Sequence, residues 1–145
     1  MVAAGVVERH RRVGLDTMVF IYAFEGPREF GRPCTALLAS IRDGDRAGVM
    51  STLVLGELLV RPLRENRRDV ALRYVELLGR YPNLEQVPAD GAICQLAAEL
   101  RATTPSLRLP DAIHVATALS HGATALVSFD VRLRNLGSLE VVTPG

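Results

Sequence analysis

The sequence predicts an α/β protein with a central parallel sheet of four to five short strands flanked by helices. Short apolar runs of about four residues alternate with longer segments of helical spacing, the pattern of βαβ units with right-handed crossovers. The strand runs are continuously apolar, as expected for strands covered on both faces. The composition, 48% hydrophobic and only 5% aromatic over 145 residues, suits an aliphatic core in one domain. A chain of this size buries roughly 68–70% of its unfolded surface, so no disulfide or metal staple is needed.

Residues 12–15 form the first strand, ended by Asp16 and Thr17, and residues 18–24 continue as a helix that Gly26 and Pro27 stop. A second helix covers 33–42. Residues 47–50 are the second strand, and Ser51 is the N-cap of a helix from Thr52 toward Arg64 that carries Glu57. A helix over 69–80 and a turn at Tyr81-Pro82-Asn83 lead to a third strand, 84–87. Asp90 opens a helix to Ala102, and Pro110 fits the first turn of another that runs to Ser120, with Gly122 as its stop. Residues 125–129 and 139–142 complete the sheet. The stretch 112–129 holds no Asp, Glu, Lys or Arg and approaches the length of a membrane span, but two histidines and the His121-Gly122 pair divide it into helix then strand.

Residues 1–10 read as an N-terminal extension, a disordered tail or an upstream start, ahead of a domain over 11–145. Its apolar stretch is too short for a signal peptide and precedes Arg9, Arg11 and Arg12, so a cytoplasmic location is expected, with no membrane partner. Cys34 and Cys94 lack CxxC or Cys/His spacing and read as two buried thiols.

A net charge of +1 is well short of a dedicated nucleic-acid binder, so any basic surface is local. The richest segment is 61–80, where Arg61, Arg64, Arg67 and Arg68 are the candidates for nucleic-acid contact; a solvated amphipathic helix explains it nearly as well. All 17 basic residues are arginine, and the absence of lysine excludes P-loop and receiver-type phosphate sites. With four Phe, three Tyr and no Trp, aromatic stacking platforms are scarce.

Four acids end apolar runs: Asp16 in VGLDTMVF, Glu57 in STLVLGELLV, Asp111 in RLPDAIHVATAL and Asp130 in ALVSFDVRL. A carboxylate in such surroundings is costly to ionise, and each close pair repels by about 4 kcal/mol at an effective dielectric of ~20. Ligands collect outside the carboxyl ends of parallel strands, where Asp16 and Asp130 fall and where Asp111 and Glu57 can turn. A divalent cation would resolve the conflict. Singly, each acid has a plainer role: Asp16 as a helix cap, Asp111 against a helix dipole, Glu57 paired with Arg61, Asp130 in a turn. Only the conjunction points to a site. His114, three residues after Asp111, reads as a packing or supporting group, and Thr17 and Ser128 as hydroxyls that orient a carboxylate.

These segments, DTMVFIYAFEG, STLVLGELL, RLPDAIHVATAL and ALVSFD, in this order and spacing, closely resemble the PIN-domain ribonucleases, particularly VapC toxins of bacterial toxin-antitoxin pairs. The resemblance spans about residues 12–143. It implies a PIN-like three-layer α/β/α fold, a Mg2+ or Mn2+ centre, and endonucleolytic cleavage of structured RNA such as tRNA or rRNA. It also implies a VapB-type antitoxin and a homodimer. The family's acids map onto Asp16, Glu57, Asp111 and Asp130, with Asp16 and Asp111 expected to ligate Mg2+ and Glu57 and Asp130 to hold water or a second ion. Relatives often carry Asn before the last acid, where this chain has Phe129, and the extension before Arg11 matches nothing in the family. The competing readings are a catalytically silent PIN-fold module that binds RNA or a partner, and a metal-dependent phosphatase. Four intact acids argue against the first. Absent lysine, and Thr17-Met18 where a DxD would stand, argue against the second.

Overall fold

The computed structural model describes residues 7–130, 133 and 136–144. In chain order the elements are β1 (Arg12–Leu15), α1 (Thr17–Glu25), α2 (Arg28–Arg42), β2 (Ala47–Ser51), α3 (Leu53–Leu58), α4 (Val60–Arg64), α5 (Arg68–Gly79), β3 (Leu84–Val87), α6 (Gly91–Thr103), α7 (Leu109–Ser120), β4 (Ala125–Val127) and β5 (Glu140–Val142). The five strands form one parallel sheet in the order β3-β2-β1-β4-β5, so the expected fold class is borne out.

The chain winds outward from β1 to β3, then returns across the sheet to β4 and β5, and this reversal sends its helices to opposite faces. On one face Val13, Leu15, Met50, Ala125 and Val127 pack with Phe20 of α1, Ile41 of α2 and Leu58 of α3. On the other, Val49, Val87 and Leu126 meet residues of α6 and α7, among them Ile93, Ala97, Ala112 and Val115. Fully burying a side chain such as Phe20, Leu15 or Ile41 contributes roughly 1.5–3 kcal/mol. Period-two alternation places Gly14 on the α7 side, where an added Cβ would stand 2.6 Å from Ala118 Cβ. Glycine at this position lets α7, and Asp111 with it, lie directly on the central strand.

Several expectations are corrected. The second helix begins at Arg28 rather than 33, because the Pro27 carbonyl accepts the Phe30 and Gly31 N–H groups at 3.0 and 2.8 Å, and Pro33 is carried inside the helix. The helix expected from Thr52 to Arg64 is divided at Leu59, since Pro62 has no N–H to offer the Leu58 carbonyl one turn back. Ser51 ends β2 and Thr52, not Ser51, takes the N-cap position, although Ser51 Oγ accepts the Leu53 N–H at 3.0 Å. The fourth strand stops at Val127, ahead of Ser128 and Asp130, whose groups turn to the site. Cys34 is buried, but Cys94 is exposed, because Ile93 and Ala97 take the inward face of α6.

Of the expected extension, residues 1–6 lie outside the described residues. His10 places Nδ1 2.8 Å from Thr124 Oγ1 and Nε2 3.0 Å from Glu140 Oε2, while Arg46 donates to the carbonyls of Val7 and His10. The run 112–129 resolves into α7, a turn with Gly122 at φ 77°, and β4. Among the described residues no helix is long and apolar enough to cross a membrane.

Candidate active site

Reversal of the winding direction between β1 and β4 opens a crevice outside their carboxyl ends, the place where such sheets bind ligands. Asp16 leaves β1 into this crevice. Its N–H donates to the Val127 carbonyl of the neighbouring strand at 3.1 Å, and the residue as a whole is only 9% exposed. Both carboxylate oxygens are held: Oδ1 accepts the Thr17 N–H at 2.6 Å and Oδ2 accepts the Ser128 hydroxyl at 2.8 Å. Asp16 thus caps α1 and walls the crevice at once, so its two sequence readings are compatible.

Ser128 also reaches the last acid, since its Oγ accepts the Asp130 N–H at 3.1 Å. One hydroxyl therefore ties the ends of β1 and β4 together. Asp130 and Asp111 share the wall of a cavity of about 190 Å³, with Thr104, Ser106, Leu107, Leu133 and Leu136. Burial, followed by the negative charges of Asp16 and Asp130, pushes the Asp111 carboxyl above its ordinary value, with Arg108 and His114 opposing.

Glu57 approaches from α3. Its Oε1 accepts the Thr17 hydroxyl at 2.6 Å and lies 3.1 Å from His114 Nε2. His114 Nε2 is also 3.7 Å from Asp16 Oδ1 and 3.3 Å from Thr17 Oγ1. The carboxylate oxygens lie on the Nε2 side of the ring, and buried Nδ1 has no hydrogen-bond partner among the described residues. The hydrogen bond from His114 is the main cause holding the Glu57 carboxyl below its ordinary value; burial opposes it, and the Thr17 bond and the charges of His114 and Arg108 assist. Glu57 does not pair with Arg61. That guanidinium instead meets Glu65 at 3.1 Å and Glu25 at 3.9 Å.

All four acids named from the sequence come to this crevice, and Thr17, Ser128 and His114 bond to them directly. Arg61, Arg64, Arg67 and Arg68 stand exposed on α4, α5 and the loop between them. Sequence reasoning passed over Arg108. It precedes Leu109 and Pro110 in the motif that carries Asp111, and its charge acts on both Glu57 and Asp111. A cation two residues before a helix proline could have flagged it.

The profile of the PIN domain family matches residues 13–139. The chain belongs to the PIN domain family. It is 36% identical to Ribonuclease VapC7 of Mycobacterium tuberculosis over 135 residues, which cover 90% of each protein. Among solved structures it resembles VapBC2 from Rickettsia felis bound to a promoter DNA fragment, with a TM-score of 0.70 at 15% identity, covering 91% of this chain and 98% of the other. It also resembles VapC20 of Mycobacterium tuberculosis, a Sarcin-Ricin loop cleaving toxin, with a TM-score of 0.64 at 17% identity, covering 82% and 90%. At these identities the structural likeness speaks to fold. The VapC-type resemblance read from the four motifs is borne out, and with it the reading of the chain as a nuclease.

Proposed function

We propose that this PIN domain is a Mg2+-dependent endoribonuclease, the toxin of a VapBC-type pair, and that it hydrolyses phosphodiester bonds in structured RNA of the tRNA or rRNA class. The observation that carries the reading is the plight of Asp111: half-buried, it faces Asp16 and Asp130 closely enough that their charges disfavour its ionisation. Such a cluster is unstable alone and suited to a cation.

The donor set fits Mg2+, a hard ion that takes few carboxylates and keeps several waters. Among the described residues no three His, Cys, Asp or Glu groups form a finished metal cage. Mg2+ does not require one, because water and phosphate oxygens complete its shell. Asp16 and Asp111 would hold it. When bound, the ion supplies Lewis-acid charge to phosphoryl oxygens and makes water a better nucleophile.

The chain's own groups do the rest. Thr17 and Ser128 fix both oxygens of Asp16, so that carboxylate needs no reorientation when substrate arrives. Glu57 Oε1 is engaged by Thr17 and His114, which leaves Oε2 to take the proton of the attacking water. Water oxygen then bonds to phosphorus, the ribose 3′ oxygen departs and is protonated by solvent, and the products are a 5′ phosphate and a 3′ hydroxyl. Arg108, beside Glu57 and Asp111, offers a guanidinium to the phosphate.

The name of the 36% identical relative, Ribonuclease VapC7, supports RNA as substrate. Similar folds occur in toxin-antitoxin complexes, including one from Klebsiella pneumoniae at a TM-score of 0.69 and 22% identity over 92% of this chain and 98% of the other, which supports a VapB-type antitoxin as partner. A homodimer in the cytoplasm completes the proposal. The test compares wild type with Asp111→Asn on total tRNA and rRNA, with Mg2+ or with chelator. Cleavage by wild type in Mg2+ alone is expected; equal cleavage by both proteins would remove the site, and no cleavage by either would favour a silent binding module.

A further inference from the structure

We propose that the exposed face of Phe30, backed by Tyr22 and Phe129, is a stacking platform for one unpaired RNA base beside the scissile phosphate. This rests on the ribonuclease reading and narrows its substrate to RNA with an unpaired nucleotide at the cut.

Three rings gather around Phe129, the residue between Ser128 and Asp130, although the chain is poor in aromatics. Tyr22 stacks on Phe30 with ring centroids 5.2 Å apart and an interplanar angle of 30°. Phe129 meets Tyr22 edge-on at 4.7 Å and Phe30 edge-on at 6.2 Å. Phe129 and Tyr22 are half-buried against the core, whereas Phe30 is 41% exposed. The cluster is therefore a rigid base with one open ring.

Its position ties it to the reacting centre. Phe129 stands between Ser128, which holds Asp16, and Asp130, with each neighbouring Cα only about 3.8 Å away. Tyr22 lies five residues along α1 from Thr17, a rise of roughly 7.5 Å. Two glycines fix it there: a Cβ at Gly26 would stand 2.6 Å from Tyr22 Cδ1, and one at Gly31 would stand 2.7 Å from the Tyr22 carbonyl oxygen. The helix corner closes directly on Tyr22 and holds its ring under Phe30.

Charge on the far side of Tyr22 favours nucleic acid. The same residue lines a groove between α1 and α2, where Arg28 and Arg32 stand one helical turn apart. A strand leaving the crevice over Phe30 would carry its next phosphates to these guanidinium groups. An aromatic face beside a basic groove is the usual combination for single-stranded RNA, and stacking tolerates any base.

The test measures binding in chelator, so that no cleavage intervenes, using a short single-stranded RNA that carries 2-aminopurine. Quenching by wild type and by Phe30→Trp is expected, with affinity about tenfold weaker for both Phe30→Ala and Phe30→Leu, because leucine keeps the bulk and loses the ring face. Thermal midpoints check that each variant folds. Equal binding by all four proteins overturns the platform while wild-type cleavage in Mg2+ leaves the ribonuclease reading standing. Wild type that neither binds nor cleaves overturns both. Unchanged RNA binding with a change of sedimentation mass in Phe30→Ala overturns the platform in favour of a contact between copies of the chain.

Discussion

Thr17 and Glu57 share a 2.6 Å hydrogen bond across the acid crevice, the hydroxyl donating to Oε1, while the Thr17 backbone N–H holds Asp16. One residue thus positions two acids from separate elements. Thr17→Val keeps the shape and removes the hydroxyl donor. A hydrogen bond to a charged group is worth about 1.5–3 kcal/mol, so kcat/KM on RNA should fall roughly 10–100-fold, with Thr17→Ser close to wild type. Equal rates for the valine and serine variants would show that the bond does not matter.

Asp111 makes the metal-free protein less stable as pH rises. Its folded value is raised above the ordinary 3.8, so the folded state binds more protons than the unfolded chain between those two values, and stability drops as pH rises through that window. At neutral pH in chelator, Asp111→Asn should therefore melt above wild type. Added Mg2+ should raise the wild-type midpoint more than that of the variant. A variant that melts lower in chelator would contradict the electrostatic account. Glu57 has the opposite sign: its lowered value stabilises the fold above the unfolded value, and this is lost as pH falls through the folded value.

Gly14→Ala tests the seat of α7. Its new methyl group would begin 2.6 Å from Ala118 Cβ, so helix and sheet must separate and Asp111 must shift with them. Overpacking of this kind costs about 1–3 kcal/mol, readable as a lower denaturant midpoint. Ala118→Gly in the same chain should restore much of the loss, and strictly additive single effects would argue against the contact.

The arginines of α4 and α5 make a separate prediction. If RNA crosses this surface, replacing Arg64, Arg67 and Arg68 with Gln should lower the slope of log affinity against log salt by about 0.7–0.9 for each phosphate contact removed. Arg61→Gln should do less, because that side chain is already engaged with Glu65 and Glu25. An unchanged slope in the triple variant would assign the surface to another partner.

The strands were legible because each is a short apolar run, and the acids because a carboxylate at the end of such a run is energetically out of place. Order along the chain then carried Asp16 and Asp130 to the same sheet end. Geometry that depends on side-chain partners was less accessible. An i,i+4 rule offered Arg61 to Glu57, but the break before Pro62 separates Glu57 from the helical turn that carries Arg61, and Thr17 and His114 take its place. The ring cluster was invisible for a related reason: Phe129 lies about a hundred residues from Tyr22 and Phe30, and a low aromatic count gives no hint of convergence.

The bond between Ser128 and Asp16 spans 112 residues. During synthesis, β1 emerges long before β4, so the nascent polypeptide carries Asp16 for most of its elongation without the hydroxyl that steadies it. The acid crevice therefore takes its final shape late, after nearly all of the domain has been synthesised. A prematurely terminated product that lacks the stretch beyond β4 should leave RNA uncleaved.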